Sequence, residues 1–266
     1  MMHNTGKSWI NYDLVGPDDA PVVCMSHSLT SDYGMWAEQV PILLKEGFQV
    51  LRIDTRGHGG STATPGEYSI DELSGDIISV LDALGFTSGV HMIGLSMGGM
   101  IGQVIAADRP GRFASLMACC TAASWTGDTE LMQGRIKAVR ESGSLESIVA
   151  ANMERRYGPG FQKQRPLRWN ALRDTFLGTS LDGYFGCMNA CLTHNVLPRL
   201  GQVVVPTLVL AGSEDPTTPP ADNKIIADAI PGARYAEIEG GYHFPNVEFA
   251  DEFNRIMVDW LREVRG

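Results

Sequence analysis

The chain has 266 residues, a formal net charge of −10 and 44% hydrophobic residues. This length suffices for a large hydrophobic core, and an acidic chain without a basic block is unsuited to nucleic acid or to an anionic membrane surface. No apolar run approaches the roughly 18–20 residues of a membrane-spanning helix, and the first residues lack the apolar stretch of a secretory signal. We therefore expect a cytoplasmic protein that binds neither nucleic acid nor membrane; whether it forms a homo-oligomer stays open.

The cysteine pattern indicates buried packing residues and not reactive or metal-binding thiols. There are five, two of them (Cys119 and Cys120) are adjacent, and no spacing among them matches a zinc site. Small buried thiols in a reducing compartment account for this pattern. We expect that the protein uses no metal and no cofactor.

Predicted strands and helices alternate through the first half of the chain. Short apolar runs indicate strands, and apolar residues at helical spacing indicate helices. The predicted strands are 8–14 (an edge strand), 21–26, 48–54, 90–93 and 113–120, and the predicted helices are 35–45, 71–84 and 97–107. Near-continuous apolar strands separated by helices predict an α/β fold, with a parallel sheet covered by helices on both faces. In such sheets ligands bind beyond the C-terminal ends of the strands.

A long helical segment interrupts this alternation. Between residues 124 and 200 no buried strand is evident, and helical spacing recurs at 130–142, 145–157, 166–177 and 182–195. Strands return at 203–211 and 233–238, with helices at 221–230 and 247–264. We predict a core domain made of residues 1–123 and 201–266, and a helical lid inserted at residues 124–200.

A G-x-S-x-G pattern, formed by Gly94, Ser96 and Gly98, lies between a predicted strand and a predicted helix. This context is typical of a nucleophile elbow, a sharp and strained turn that exposes the serine hydroxyl. Glycines suit the flanking positions because side chains there would keep the strand and the helix apart. The pattern alone also fits an ordinary glycine-rich turn, so its meaning depends on residues elsewhere.

A reactive serine needs a basic group within hydrogen-bond reach, and that base needs an acid to orient it. In elbow proteins the acid and then the histidine follow the serine along the chain. Asp215 follows the predicted strand 203–211 and His243 follows the predicted strand 233–238, so both should reach the sheet edge that carries Ser96. Glu214 is an alternative acid, but we favour Asp215 because its shorter side chain is the more usual orienting group.

Negative charge that develops on a substrate carbonyl oxygen needs N–H donors nearby. The amide of Met97, directly after the serine, is the first expected donor. The second should come from the loop after the strand 21–26, where we place it at the amide of Leu29. Together these two amides are the predicted oxyanion hole.

The motifs resemble the α/β-hydrolase superfamily over nearly the whole chain. The similarity rests on the loops that hold Asp215 and His243 and on residues 94–99 (GLSMGG) and 54–61 (DTRGHGGS). Residues 26–32 (SHSLTSD), 35–36 and 71–76 (DELSGD) are similar to the 3-oxoadipate enol-lactonases of aromatic catabolism. The resemblance implies a mostly parallel, eight-stranded type of sheet, a catalytic triad of Ser96, Asp215 and His243, and the oxyanion hole just described.

By the same resemblance the inserted helices would form a lid over the substrate. The candidate substrate-binding residues are Ser28, Trp36, Trp125, Arg156, Tyr157 and Tyr184. Arg156 could hold a substrate carboxylate or could be a solvated arginine on the lid surface. Trp36 and Trp125 could line the pocket or pack in the interior, and we favour packing.

These features predict a serine hydrolase that cleaves a small carboxylic ester or lactone through an acyl-enzyme, with a lactone or enol-lactone as the preferred substrate. The alternatives are a general carboxylesterase, a carbon–carbon bond hydrolase acting on a diketone, a cofactor-free haloperoxidase-like enzyme and a non-catalytic sensing protein. An intact set of three side chains argues against the sensing protein, because a receptor does not need all of them.

Overall fold

The structure, a computed structural model, describes residues 1–265. Its centre is an eight-stranded sheet in the order β1-β2-β4-β3-β5-β6-β7-β8. The strands are β1 (Met2–Asn4), β2 (Trp9–Val15), β3 (Val22–Ser26), β4 (Gln49–Ile53), β5 (Val90–Leu95), β6 (Phe113–Cys119), β7 (Thr207–Gly212) and β8 (Arg234–Ile238). The β1–β2 and β2–β4 pairs are antiparallel and all the other pairs are parallel. The prediction of a mostly parallel sheet is confirmed.

The strand predicted at residues 8–14 exists, but it is not the edge of the sheet. The edge is β1, which pairs with β2 through the neighbours Met2↔Asn11 and Asn4↔Trp9. A strand of three residues is too short to show a recognisable alternation of apolar and polar residues, so it could not be predicted from the sequence.

The helices are α1 (Val40–Lys45), α2 (Ile70–Ala83), α3 (Met97–Asp108), α4 (Thr129–Ser142), α5 (Glu146–Arg156), α6 (Phe161–Gln164), α7 (Pro166–Gly178), α8 (Leu181–Leu192), α9 (Pro220–Ala229), α10 (Pro245–Glu248) and α11 (Ala250–Val264). The helix predicted at 35–45 is divided into a 3₁₀ turn at Tyr33–Trp36 and α1, whose first turn contains Pro41. Proline lacks the N–H that would continue a helix but is tolerated in the first turn. Within residues 1–265 no helix is both long enough and apolar enough to cross a membrane.

Side chains of the central strands alternate between two hydrophobic clusters, one on each face of the sheet. Val22 and Cys24 belong to the cluster that contains α2 and α3, whereas Val23 and Met25 belong to the cluster that contains α1 and α11. Both clusters are built from buried side chains. The predicted helical cover on both faces is therefore present, and it fixes the strand ends that carry the candidate site.

The segment between β6 and β7 contains five α-helices, α4 to α8, followed by a 3₁₀ helix at Leu197–Gln202. The short helix α6 is the one that the sequence analysis did not predict. An isolated antiparallel bridge between Ser124 and Asn195 joins the two ends of the segment. This closure holds α4, α5 and α8 beside the C-terminal ends of the parallel strands, where they contribute to a cavity.

Candidate active site

Ser96 lies between β5 and α3 in the strained conformation expected of an elbow. Its backbone has φ 55° and ψ −117°, a region that non-glycine residues seldom adopt. A Cβ added to Gly98 would lie 2.1 Å from the Ser26 carbonyl oxygen, so only glycine fits there. The Ser96 side chain makes no capping hydrogen bond to α3, and its carbonyl accepts one from Thr121 Oγ1 at 2.7 Å. The strained turn is thus held by its neighbours while the hydroxyl is left for chemistry.

Asp215 and His243 meet at the same sheet edge. His243 Nδ1 lies 2.7 Å from Asp215 Oδ2, and both side chains are almost fully buried. With Nδ1 carrying the proton toward the carboxylate, Nε2 of the neutral ring holds the lone pair that a base requires. Glu214, the alternative acid, is exposed. The geometry therefore favours Asp215 as the orienting acid.

Thr218 and Asn223 support this pair and were not found from the sequence. The carboxylate of Asp215 accepts hydrogen bonds from the Thr217 and Thr218 amides at 2.7 and 3.2 Å and from Thr218 Oγ1 at 2.8 Å. Asn223, which is fully buried, donates to the Thr218 carbonyl at 3.0 Å. Thr218 lies three residues after Asp215 in the same loop, whereas Asn223 lies in α9, where the sequence predicted only a helix.

The two predicted oxyanion donors, the amides of Leu29 and Met97, are free to bind an anion. Neither amide donates a hydrogen bond to a protein acceptor in the part of the chain that the structure describes. Met97 begins α3, where unpaired N–H groups and the helix dipole favour negative charge. Leu29 lies in the turn after β3, and both Leu29 and Ser96 line one cavity.

Two buried histidines hold the turn that carries Leu29. His27 Nε2 accepts from the Thr55 amide at 2.8 Å and its Nδ1 lies 2.7 Å from the Ser28 carbonyl. His58 Nε2 accepts from the Thr30 amide at 2.9 Å. Burial, with His27 nearby, lowers the pKa of His58 to about 3. His58 therefore stays neutral and keeps its acceptor at physiological pH.

A cavity of about 390 Å³ lies above the strand ends, and its lining includes Ser96, His243 and three of the six candidate substrate-binding residues. Those three are Ser28, Trp125 and Arg156. Met132 and Met188 from the inserted helices add apolar lining. A concave, mostly apolar space with a few polar groups is typical of a small-molecule site.

Trp125 is half-buried, and its indole N–H donates to Thr129 Oγ1 at 2.9 Å. Trp125 therefore does both: it packs against the hydrophobic cluster that contains α1 and α11, and it lines the cavity.

The other three candidates do not line this cavity, so the prediction that they are pocket residues is wrong; they are Trp36, Tyr157 and Tyr184. Trp36 is fully buried and packs against Phe253 with ring centroids 6.3 Å apart, as the packing alternative expected. Tyr157 stacks on Phe161 at 4.6 Å, and Tyr184 packs edge-on against Phe185 at 5.4 Å. Large aromatic side chains bury more area in the interior than they would at a cavity wall.

Arg156 is buried, so the alternative of a solvated arginine on the lid surface is wrong. Only 7% of the residue is exposed. Its Nη2 donates to the Leu29 carbonyl at 2.7 Å and to Thr30 Oγ1, and its Nη1 donates to the Thr30 carbonyl at 3.4 Å. Burial lowers the pKa of Arg156 to about 10, so the guanidinium remains charged at neutral pH.

Two further arginines, Arg135 and Arg155, line the cavity and are half-buried. Arg155 donates to the Pro216 carbonyl at 2.5 Å. Burial, together with the charge of Arg155, lowers the pKa of Arg135. Neither forms an ion pair with a carboxylate within residues 1–265. The carboxylates in the lining have other partners: Asp128 caps α4 and Asp222 accepts from Thr126.

All five cysteines are buried and unpaired among the described residues, as predicted for packing residues. Burial raises the pKa of Cys24 and of Cys191 to about 12, which keeps both thiols protonated. Between residues 1 and 265, no group of three or more His, Cys, Asp or Glu side chains is placed to hold a metal ion.

The chain is similar to several known proteins. The family model described as "alpha/beta hydrolase fold" matches residues 21–250. The chain is 35% identical to 3-oxoadipate enol-lactonase 2 of Acinetobacter baylyi, over 92% of this chain and 90% of that protein. The crystal structure of an enol-lactonase from Burkholderia xenovorans superimposes with a TM-score of 0.94 at 34% identity, covering 98% of this chain and 100% of that one. A thermophilic esterase from Thermogutta terrifontis, solved with malate bound, superimposes with a TM-score of 0.88 at 25% identity, covering 97% and 95% of the two chains. The chain therefore belongs to the α/β-hydrolase family.

Proposed function

We propose that the protein is a serine hydrolase that cleaves a small ester or lactone through an acyl-enzyme on Ser96. The observation that carries this proposal is the buried pair of Asp215 and His243, 2.7 Å apart, in the cavity that Ser96 also lines. The relatives named enol-lactonase support an ester-type bond, and a lactone in particular.

In the proposed reaction His243 Nε2 takes the proton of the Ser96 hydroxyl while Ser96 Oγ attacks the carbonyl carbon. The carbonyl oxygen becomes negatively charged and accepts hydrogen bonds from the Leu29 and Met97 amides. Each such donor typically lowers the barrier by about 3–4 kcal/mol. His243 then returns the proton to the leaving oxygen, and a water molecule that it activates releases the acyl group. When the substrate is a lactone, the leaving oxygen remains part of the acyl group.

A carboxylate on the substrate would suit the two cavity arginines, Arg135 and Arg155. Both are half-buried, neither is neutralised by a protein carboxylate in the described residues, and the two repel each other. A bound carboxylate would relieve that repulsion and supply the hydrogen-bond acceptors that a guanidinium prefers. We therefore extend the proposal to lactones or esters that carry a negative charge.

A turnover panel tests the proposed function. It comprises lactones, enol-lactones, p-nitrophenyl esters and vinylogous diketones, each assayed with the wild-type protein and with Ser96→Ala. We expect the highest kcat/KM for a lactone and loss of all turnover in Ser96→Ala. Faster turnover of neutral esters than of any lactone would favour the carboxylesterase alternative, and turnover of the diketones alone would favour carbon–carbon hydrolysis.

A second measurement tests the preference for charge. Arg135→Gln should raise KM for a carboxylate-bearing lactone several-fold more than KM for its methyl ester. Lys137→Gln is the matched control, because Lys137 lies on the same helix but is exposed. Equal effects of Arg135→Gln on both substrates would contradict a carboxylate subsite at this position.

A further inference from the structure

Arg156 connects three parts of the candidate site. It is the last residue of α5 in the inserted segment. Its carbonyl accepts a hydrogen bond from the Phe244 amide at 3.0 Å, directly after His243. Its guanidinium donates to Leu29 and Thr30, in the turn that carries the proposed oxyanion donor. One residue thus joins the inserted helices, the histidine loop and the oxyanion turn.

The surroundings of the Arg156 guanidinium hold it in one place, between two aromatic rings and three oxygen acceptors of the oxyanion turn. Its carbon lies 4.9 Å from the ring centre of Phe176 and 4.8 Å from that of Phe244, so aromatic faces pack on it. No carboxylate of residues 1–265 pairs with it, although burying a charge is costly without strong partners. Its partners are instead two carbonyl oxygens and one hydroxyl of a single turn. A carboxylate of the substrate would have to compete with these bonds.

The turn that carries Leu29 and Thr30 has a strained backbone, which the bonds from Arg156 help to hold in place. Thr30 has a φ of 54°, and a β-branched residue in the left-handed region is strained, typically by about 1–3 kcal/mol. The carbonyls of Ser28, Leu29 and Thr30 all accept hydrogen bonds, and the Thr30 amide donates to His58. The Leu29 amide, by contrast, has no protein acceptor in the described chain and belongs to the cavity lining. The bonds from Arg156 to the Leu29 and Thr30 carbonyls hold the two peptide planes that directly follow the Leu29 amide.

We propose that Arg156 is a positioning residue for the oxyanion hole: by holding the carbonyls of Leu29 and Thr30 it keeps the Leu29 amide aimed at the reacting carbonyl oxygen. The inference rests on the proposed function, since it needs an oxyanion to form at Ser96. It differs from a carboxylate-binding role in its consequence. A misplaced oxyanion donor weakens the transition state for every substrate, charged or neutral, and leaves substrate binding almost unchanged.

The test compares Arg156→Gln with Arg168→Gln. Arg168 is a matched control because it also ties the inserted helices to the core, through Glu38 and the Gly34 carbonyl, but does not contact the oxyanion turn. For Arg156→Gln we expect kcat to fall roughly 10- to 100-fold, approaching the loss of an oxyanion donor. The factor should be the same for a neutral p-nitrophenyl ester and for an anionic lactone, with little change in KM. Arg168→Gln should change the melting temperature but not kcat.

A trifluoromethyl ketone inhibitor provides a readout that a purely structural role would not move. It adds to the serine as a tetrahedral oxyanion, so its Ki should rise by the same factor as kcat/KM falls, while the Ki of a planar product acid stays unchanged. Arg156→Lys, which retains one charged donor group, should show a smaller fall in kcat. It replaces Arg156→Gln as the test variant if Arg156→Gln does not fold.

Three results separate the possible failures. Unchanged kcat in folded Arg156→Gln or Arg156→Lys, with KM raised only for the anionic substrate, would overturn the positioning role in favour of carboxylate binding. Equal losses in the Arg156 and Arg168 variants would overturn it in favour of general stability. Undiminished turnover by Ser96→Ala would instead reject the proposed function.

Discussion

The Thr121 amide donates a hydrogen bond to Asn223 Oδ1 at 3.0 Å, across 102 positions of the sequence. Thr121 also donates through Oγ1 to the Ser96 carbonyl, and Asn223 donates to the Thr218 carbonyl. Thr218 in turn donates to Asp215. A continuous chain of buried hydrogen bonds therefore joins the residue proposed as nucleophile to the residue proposed as acid.

Asn223→Ala breaks this chain at its middle. The Thr121 amide and the Thr218 carbonyl would lose their partner in a fully buried place. We expect the free energy of unfolding to fall by about 1–3 kcal/mol, because buried polar groups left unpaired are costly. Urea denaturation measures it. Asn189→Ala, which removes one bond from a half-buried residue, is the control. A smaller loss of unfolding free energy for Asn223→Ala than for Asn189→Ala would contradict a stabilising role for this chain of hydrogen bonds.

Asp215→Asn changes the acid while keeping its shape. An amide cannot stabilise the charged imidazole of His243 and favours the wrong tautomer, so kcat should fall roughly 10³- to 10⁴-fold. Steady-state kinetics on the best substrate of the panel measure the effect. Glu214→Gln, next in sequence but exposed, should retain nearly full activity. A larger loss in Glu214→Gln than in Asp215→Asn would reassign the acid.

Gly98→Ala tests the tight approach at the elbow. The new methyl group would lie 2.1 Å from the Ser26 carbonyl oxygen, so β3 and α3 would have to separate. We expect a large fall in melting temperature together with loss of turnover. Gly134→Ala is the control, since it lies inside α4 with no atom within 4 Å of the added carbon. That change should stabilise the helix by about 0.5–1 kcal/mol. An unchanged melting temperature for Gly98→Ala would show that β3 and α3 can accommodate a methyl group at the elbow.

Stability should fall as the pH drops below about 6.5, in part because of His58. The unfolded chain binds a proton at a histidine near pH 6.5, whereas burial, with His27 nearby, lowers the pKa of His58 in the folded protein to about 3. Between these two pH values the unfolded state binds more protons than the folded state. The contribution of neutral His58 to stability is therefore fully present above about pH 6.5 and is lost progressively as the pH falls toward about 3. His58→Gln should reduce the slope of unfolding free energy against pH by up to about 1.4 kcal/mol per unit in this window. Parallel curves for the two proteins would contradict a neutral His58.

The elbow and the contact between Asp215 and His243 could be predicted from the sequence because the relevant signals are local. Gly94, Ser96 and Gly98 lie within five positions, and Asp215 and His243 each follow an apolar strand directly. The sequence could not place the lid side chains, because their direction depends on how α4 to α8 pack. Trp125 faces the cavity while Trp36 is buried against α11, although both were equal candidates.

The partners of Arg156 were also beyond sequence reasoning. Its contacts with Leu29 and Thr30 span 127 and 126 positions, and they follow from the docking of α5 on the oxyanion turn. Thr218 was missed for a different reason: hydroxyl groups near an acid occur in many turns, so the residue type alone carries no signal.

Covalent labelling with a fluorophosphonate tests the central claim most directly. We expect intact mass to show one tag per chain and peptide mapping to place it on Ser96, with labelling abolished in Ser96→Ala and strongly slowed in His243→Ala. A tag on any other residue, or undiminished labelling of the Ser96→Ala protein, would contradict the account.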